Sequence, residues 1–131
     1  MKAEDLIRKA KTARENAWAR YSDFKVGAAL ETRDGRVFSG CNIESASYGL
    51  TVCAERVAVW KAVSVGQRDF RRLAVVADSE DLTPPCGACR QIIWECCGDI
   101  EVLLANLRGR SVRYRMSSLL PAPFDSRFLD S

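Results

Sequence analysis

Three cysteines and one glutamate stand in the spacing of a catalytic metal site. Cys53 and Glu55 are two residues apart, and Cys86 and Cys89 follow as a Cys-x-x-Cys pair directly after a proline. Zinc that is held by three protein ligands keeps a fourth position open for water, whereas a site with four protein ligands is usually structural. Because the chain contains no histidine, the ligands here must be sulfur. The pattern predicts zinc-assisted hydrolysis, with Glu55 as a proton carrier that is not itself a ligand.

A fourth cysteine ligand would close such a site, so the remaining thiols need to be considered. Cys96 and Cys97 follow Cys89 by seven and eight residues on one predicted helix. A rise of about 1.5 Å per residue places them more than about 10 Å away, too far to share one zinc ion. Cys41 is predicted to point away from Asn42, because neighbouring side chains of a strand face opposite sides. We expect these three thiols to be buried and inert.

Two other uses of the cysteines remain open. The Cys86-x-x-Cys89 spacing also serves thiol–disulfide exchange, but this interpretation leaves Cys53 and Glu55 without a role. A zinc-stabilised interaction module without catalysis is the second alternative. A carboxylate beside a metal with three protein ligands argues against it.

Composition limits the class of protein. A length of 131 residues is typical of one domain, and we expect a single domain over residues 1–131. The net charge of +3, from 20 basic and 17 acidic residues, is too small to indicate nucleic acid binding. We find neither an apolar signal segment nor an apolar run of membrane-spanning length, so we expect a cytoplasmic protein with reduced thiols and no membrane partner.

The hydrophobic pattern predicts alternating strands and helices. Apolar residues recur at helical spacing, which predicts one helix over 3–18 and two further helices over about 53–65 and 87–97. The predicted strands are two hairpins and one buried strand, at 26–30 with 37–41, 102–105 with 111–114, and 73–77. Five strands with several helices predict a layered α/β domain.

The predicted helices begin at the proposed ligands, which matters for the chemistry. Unpaired N–H groups and the positive end of the dipole at a helix N-terminus stabilise thiolates. Three thiolates on one Zn²⁺ leave a net charge of about −1, which weakens the metal as a Lewis acid. Arg56 and Arg90 are the nearest cations in the sequence. Each is a candidate to donate a hydrogen bond to a ligand sulfur, the alternative being an ordinary surface arginine.

Longer motifs carry a resemblance to a known family. Cys-Asn-Ile-Glu-Ser-Ala-Ser-Tyr-Gly at 41–49 leads to Cys-Ala-Glu-Arg at 53–56, and Pro-Cys-Gly-Ala-Cys-Arg-Gln follows at 85–91. Together with Tyr-Ser-x-Phe-x-Val-Gly-Ala at 21–28, Leu-Leu-Pro at 119–121 and Phe124, these motifs resemble the small homotetrameric, zinc-dependent cytidine deaminases. Nearly the whole chain is covered. Ser45 stands where this family usually has asparagine, which puts a local loop contact in doubt.

The resemblance implies a fold and a set of site residues. The fold is a three-layer α/β/α sandwich with a mixed five-stranded sheet, and one zinc ion per chain is held by Cys53, Cys86 and Cys89 with Glu55 as the proton shuttle. The residues implied to bind substrate are Phe24, Asn42, Glu44, Tyr48, Ala54 and Phe124, of which Tyr48 and Phe124 reach the site of a neighbouring subunit. Arg56 and Gln91 are implied to support the ligands.

The expected activity is the hydrolytic deamination of cytidine and deoxycytidine to uridine and deoxyuridine, with release of ammonia, in pyrimidine salvage. Asn42 and Glu44 would require sugar hydroxyl groups, so free cytosine should be a poor substrate. A carboxylate near the sugar would also repel a phosphate. On local sequence alone, capping of a turn is the alternative role of these two residues. Phe24 would on the same basis be a core residue.

Related enzyme classes and the oligomeric state remain to be considered. Blasticidin S deaminases share the zinc motifs, whereas nucleic acid deaminases typically use a histidine ligand and basic grooves. The helix after Glu55 is apolar around nearly its whole circumference between 57 and 65. Such a helix must be buried on more than one face, which favours a homotetramer. A monomer that buries this helix under its own sheet is the alternative.

Overall fold

The computed structural model describes residues 1–129 and contains a five-stranded sheet with helices on both faces. The helices are α1 (Ala3–Arg14), α2 (Ala54–Ser64), α3 (Gly87–Cys97) and α4 (Met116–Leu119). The strands are β1 (Val26–Thr32), β2 (Val37–Cys41), β3 (Phe70–Ala77), β4 (Glu101–Ala105) and β5 (Ser111–Arg115). Two 3₁₀ turns lie at Tyr48–Leu50 and Ser126–Phe128. Within residues 1–129, no helix combines the length and the hydropathy needed to cross a bilayer.

The strand order in the sheet is β2-β1-β3-β4-β5. The two predicted hairpins are confirmed, because β1 pairs with β2 and β4 pairs with β5 in antiparallel fashion. β1 and β3 are also antiparallel, whereas β3 and β4 are parallel and are connected through α3. The sheet is therefore mixed, and the parallel crossover brings the start of α3 to the end where β3 finishes.

Apolar side chains cover both faces of the sheet. On one face, Leu6 and Ala10 of α1 pack against Ala29, Ala74 and Val76. On the other face, α2 and α3 pack on a larger core, whose fully buried members include Leu30, Ala58, Val59, Leu73, Ile93, Val102 and Leu104. Since β1, β3 and β4 are buried on both sides, their sequences read as continuous apolar runs. The predicted three-layer α/β/α sandwich is confirmed.

The first helix is shorter than its sequence pattern predicts. α1 ends at Arg14 rather than at about Trp18. The backbone N–H of Trp18 donates to the carbonyl of Asn42 (2.9 Å), and the Trp18 carbonyl accepts from the N–H of Glu44 (2.9 Å). These backbone groups are therefore used in pairing with the segment after β2, which ends the helix before the apolar spacing does.

One charged pair is buried between β1 and β3. Glu31 and Arg72 are partners in the antiparallel register, and both are almost fully buried. The guanidinium of Arg72 donates to the Glu31 carboxylate and to the backbone carbonyl of Met1. The pair lies on the α1 side of the sheet, on the same face as Ala29 and Ala74.

Close contact between β2 and α2 requires a glycine, and this leads to a first prediction. A Cβ atom at Gly40 would lie 2.6 Å from the backbone nitrogen of Ala58 and 2.7 Å from the backbone oxygen of Ala54. Neither backbone atom can rotate away, so Gly40→Ala must push α2 off the sheet. We expect the free energy of unfolding to fall by about 2 kcal/mol or more. Denaturant titration at matched protein concentration measures this change.

Gly49→Ala provides the matched control. A Cβ atom at Gly49 would meet no other atom of the chain within 4 Å, and Gly49 does not have a positive φ. An unfolding midpoint of Gly40→Ala equal to that of the control would contradict the close helix–strand contact.

Candidate active site

The two helix N-termini converge on the cysteine motifs. Cys53 immediately precedes α2, Cys86 immediately precedes α3, and Cys89 lies in the first turn of α3. Cys53 and Cys86 have extended backbone conformations, as residues that precede a helix usually do. The prediction that all three thiols lie at or near helix N-termini is confirmed. Each thiol is close to free N–H groups and to a positive dipole end.

The three thiols form a group with the dimensions of a metal site. The Sγ atoms of Cys53, Cys86 and Cys89 all lie within 4.8 Å of one another, and those of Cys53 and Cys86 are 3.9 Å apart. Tetrahedral zinc with Zn–S bonds of about 2.3 Å separates its sulfur ligands by about 3.8 Å. The donor set and its spacing therefore fit one zinc ion with three protein ligands.

The other three thiols lie outside this group. Cys41, Cys96 and Cys97 are half-buried rather than buried as expected. Burial raises the pKa of each thiol, and it raises that of Cys97 to about 12. Their sulfur atoms are not among the three that lie within 4.8 Å of one another, which places them outside the candidate metal site.

Hydrogen bonding within the thiol group favours a thiolate at the start of α2. The Cys89 thiol and the Arg56 guanidinium stabilise the Cys53 thiolate and lower its pKa to about 5. The same interaction, together with burial, raises the pKa of Cys89. The first proton is therefore lost at Cys53, as metal binding requires of its ligands.

Glu55 is the buried acid of the site. It lies in the first turn of α2 and is 4% exposed. Burial raises the pKa of its carboxyl group to about 7, and the nearby Cys53 thiolate acts in the same direction. No side chain among residues 1–129 donates a hydrogen bond to this carboxylate. Glu55 is thus a buried proton-binding group that no other described side chain binds, two residues from a thiol of the candidate metal site.

Arg56 contacts the ligand side of the site. Its Nη2 lies 3.5 Å from the Sγ of Cys53 and 3.3 Å from the backbone oxygen of Thr51, to both of which it donates. Its Nε is buried and makes no hydrogen bond with the described residues. The guanidinium also lies 5.8 Å from the centre of the Trp60 ring, a cation–π contact. The arrangement places a positive charge against a ligand sulfur.

Arg90 and Gln91 have partners other than the ones expected. Arg90 donates to the backbone oxygens of Pro85 (2.8 Å) and Leu119 (2.7 Å) and not to sulfur. The side-chain amide of Gln91 donates to the backbone oxygen of Phe124 (2.7 Å). Both side chains therefore attach the C-terminal segment to α3, the helix that carries Cys89. They support the thiol group only through the position of this helix.

A short backbone bridge brings the predicted sugar-binding pair next to the thiols. Ile43 and Val52 exchange two backbone hydrogen bonds of 2.9 Å, so the segment 42–44 lies beside the residue that precedes Cys53. Asn42 is buried, and both polar atoms of its side chain have a partner within the chain. Its Oδ1 accepts from the N–H of Val26, and its Nδ2 donates to the carbonyl of Phe24, both at 2.9 Å.

Glu44 binds the loop before β1. Its Oε1 accepts from the backbone N–H groups of Tyr21 (2.9 Å) and Ser22 (3.0 Å), and its Oε2 accepts from the Ser22 hydroxyl. These hydrogen bonds, led by the one from the hydroxyl, lower the pKa of the Glu44 carboxyl. A carboxylate offers about four acceptor positions, so one position on Oε2 stays available. The sequence pattern alone assigns no role to Ser22. A serine hydroxyl often binds the backbone two residues further along, and this is the signal that could have identified it.

The remaining predicted residues differ in exposure. Ala54 is buried at the start of α2, whereas Phe24 lies partly exposed at the surface. Tyr48 is 77% exposed; its ring contacts that of Tyr21 edge to face, with the centres 6.4 Å apart. Phe124 is 57% exposed and stacks on Phe128 at 5.7 Å. A large exposed aromatic side chain is a candidate contact for a ligand or a partner.

Known proteins share both the sequence and the fold. Residues 1–105 match the family described as the cytidine and deoxycytidylate deaminase zinc-binding region. A cytidine deaminase of Sporosarcina psychrophila is 51% identical over 130 residues, which cover 98% of this chain and 96% of that protein. The crystal structure of cytidine deaminase from Burkholderia pseudomallei superposes with a TM-score of 0.93 at 49% identity, covering 95% of this chain and 100% of that one.

A more distant relative belongs to the alternative enzyme class. The blasticidin-S deaminase of Bacillus cereus is 36% identical over 114 residues, which cover 79% of this chain and 81% of that protein. Its match is weaker than that of the Sporosarcina psychrophila cytidine deaminase in both identity and coverage. With a thiol group of the right dimensions and a family match that spans most of its length, the chain belongs to the cytidine and deoxycytidylate deaminase zinc-binding family.

Proposed function

We propose that this chain is a cytidine deaminase that converts cytidine and deoxycytidine to uridine and deoxyuridine with release of ammonia. The observation that carries the proposal is the buried Glu55 at the start of α2, beside three thiols with the dimensions of a zinc site. This combination offers a proton carrier next to a metal that has an open position. It fits hydrolysis at an aromatic carbon better than thiol exchange, which uses neither the metal nor the acid.

The chemistry is divided between the metal and Glu55. When bound, zinc supplies a nucleophile near neutral pH by lowering the pKa of a water molecule. Glu55 accepts the proton that this water gives up and delivers it to ring N3, which makes C4 electrophilic. Once the water oxygen has bonded to C4, Glu55 takes the second proton from that added hydroxyl group and passes it to the amino group, which leaves as ammonia when the C4–N bond breaks and the C4 carbonyl forms. A buried carboxyl group whose pKa is raised to about 7 is suited to both transfers.

Arg56 tunes the charge of this site in our proposal, which gives a second prediction. Three thiolates give a zinc site an excess negative charge of about one, and the Arg56 guanidinium lies against one of the sulfurs. Arg56→Ala should lower turnover by about tenfold or more at matched zinc content. Arg56→Lys keeps the charge but loses the planar guanidinium group, so its turnover should lie between that of Arg56→Ala and that of the unsubstituted chain. Unchanged turnover in Arg56→Ala would remove Arg56 from the mechanism.

Nucleoside binding is assigned to the residues around the segment 42–44. The free acceptor position of Glu44 would take one sugar hydroxyl group, and the Asn42 amide would hold the backbone on which Phe24 faces the pyrimidine ring. Ala54 would line the base pocket beside Glu55. The negative charge of Glu44 disfavours a nucleotide phosphate, and its need for a donor disfavours free cytosine.

An ammonia-release assay tests the proposed function directly. The purified, zinc-loaded chain is given cytidine, deoxycytidine, cytosine, cytidine monophosphate and blasticidin S in parallel. We expect turnover of the two nucleosides and at least about tenfold lower kcat/KM for cytosine and the nucleotide. Equal use of cytosine and cytidine would remove the sugar contact. A higher kcat/KM for blasticidin S than for cytidine would move the chain to the alternative class.

We further propose a homotetramer in which Tyr48 and Phe124 complete a neighbouring active site. An open groove of about 400 Å³ supports this proposal, because it is lined by apolar side chains that include Ile43, Leu50 and Trp60. These side chains are all substantially exposed in the single chain. A patch of this kind is typical of a surface that a second copy covers.

Light scattering at micromolar concentration should report four chains, which is a third prediction. Phe124→Ala should raise the KM for cytidine several-fold while the assembly persists, because its ring is exposed and stacks only at the surface. Phe128→Ala is the matched control, since it removes the stacking partner without removing the proposed substrate contact. A fully active monomer would contradict the shared site.

The wider assignment follows from the same residues. We propose one catalytic domain over residues 1–131 that works in pyrimidine salvage in the cytoplasm. The six cysteines are all free, which suits a reducing compartment. No nucleic acid or membrane partner is proposed, because the charges are mixed and the net charge is small.

A further inference from the structure

We propose that Ser22 is a positioning residue that links the sugar-binding carboxylate of Glu44 to the backbone of Phe24. The link rests on the proposed function, in which Glu44 holds the sugar and Phe24 faces the base. The Ser22 hydroxyl donates to Oε2 of Glu44 and accepts from the backbone N–H of Phe24 at 3.0 Å. One hydroxyl group therefore joins the two halves of the nucleoside site.

Both ends of the Phe24 backbone are held by side-chain contacts of this kind. Its N–H is bound by Ser22, which is itself bound by Glu44, and its carbonyl accepts from the Asn42 amide at 2.9 Å. Asn42 and Glu44 come from one segment after β2, whereas Phe24 lies on the loop before β1. The position of the ring is thus set by Asn42 and, through Ser22, by Glu44, the residue that is proposed to bind the sugar.

The loop is strained at Asp23, which lies between Ser22 and Phe24. Asp23 has a φ of +55°, in the left-handed region that residues with a side chain seldom adopt. This conformation costs on the order of 1 kcal/mol, so it persists only where neighbouring contacts hold it. The restraints here are the Asp23 N–H bond to the Ala19 carbonyl (2.9 Å) and the two bonds of the Ser22 hydroxyl. Loss of that hydroxyl releases the turn that aims Phe24.

The contacts of Ser22 predict which kinetic constant changes when its hydroxyl group is removed. A serine has a single donor, and Glu44 takes it, so the lone pairs of the same oxygen face the Phe24 N–H. Ser22 touches neither the thiols nor Glu55. Its loss should therefore weaken nucleoside binding and raise KM, while the proton transfers that determine kcat stay nearly unchanged.

Steady-state kinetics of three variants test this link. Ser22→Ala should raise the KM for cytidine by about tenfold, with kcat within about threefold of the unsubstituted chain and unchanged zinc content. Ser22→Thr keeps a hydroxyl and should restore KM to within about threefold. Ser111→Ala, at the exposed start of the edge strand β5, is the control for loss of a serine hydroxyl elsewhere. A KM within about threefold in Ser22→Ala overturns the proposal, as does a failure of Ser22→Thr to restore it.

A second measurement does not depend on catalysis. Hydrogen exchange by NMR at the Phe24 amide should be about tenfold faster or more in Ser22→Ala, and Ser22→Thr should restore the slow rate. Unchanged exchange at Phe24 overturns the link. If the unsubstituted, zinc-loaded chain does not release ammonia from cytidine, the proposed function fails, and the exchange rates alone then decide the role of Ser22.

Discussion

Glu55→Gln should lower the turnover of cytidine by at least about two orders of magnitude while leaving the bound zinc in place. The amide has nearly the same shape as the carboxyl group, so the packing at the start of α2 is preserved. It cannot accept a proton, however, and the described residues offer no other buried acid beside the thiols. Because Glu55 is not part of the thiol group, metal affinity should change little. Single-turnover kinetics together with metal analysis measure both quantities.

Glu95→Gln is the matched control for this variant. It makes the same chemical change on α3, at an exposed position away from the helix N-terminus that carries the ligands. Its turnover should equal that of the unsubstituted chain. Turnover of Glu55→Gln within about threefold of this control would show that another group carries the proton.

Cys86→Ala should lose zinc and activity together, which is the second large effect. The variant keeps only two thiols, and two protein ligands hold zinc far more weakly than three. After dialysis against a mild chelator we expect roughly one equivalent of zinc in the unsubstituted chain and well under about a tenth of an equivalent in the variant. Turnover should fall in proportion to the zinc content.

Cys96→Ala is a control on the same helix. Its thiol is half-buried and lies outside the group of three sulfurs, so both zinc content and turnover should be kept. If Cys86→Ala retained full zinc and full turnover, the assignment of the ligands would be wrong.

The metal site could be predicted from the sequence because its signals are local. Cys53 and Cys86 each stand directly before a segment with a helical pattern, and the short spacings to Glu55 and Cys89 fix which side chains share the first turn. Local sequence determines where a helix begins, and the beginning of the helix then orients the thiol. The hairpins were predictable for the same reason.

The nucleoside side of the site could not be predicted from the residues alone in this way. Glu44 binds Tyr21 and Ser22 across 23 and 22 residues of sequence, and no periodic pattern records such a pairing. The end of α1 was misplaced for a related reason, since distant backbone partners claim Trp18. The exchange of partners between segments far apart in sequence depends on the tertiary fold, which overrides local propensity.

The buried Glu31–Arg72 pair has a consequence for how the sheet is aligned during folding. β1 and β3 carry apolar side chains on both faces. Sliding one strand past the other by one residue would therefore exchange one apolar surface for another, at little cost in free energy from these side chains. The charged pair removes this degeneracy. A slip of one residue would bring Glu31 opposite Leu73 or Arg71 in place of Arg72, so at least the Arg72 guanidinium would lose its buried partner, at a cost of roughly several kcal/mol. Glu31 and Arg72 therefore favour one alignment of the two strands over those that differ by a single residue.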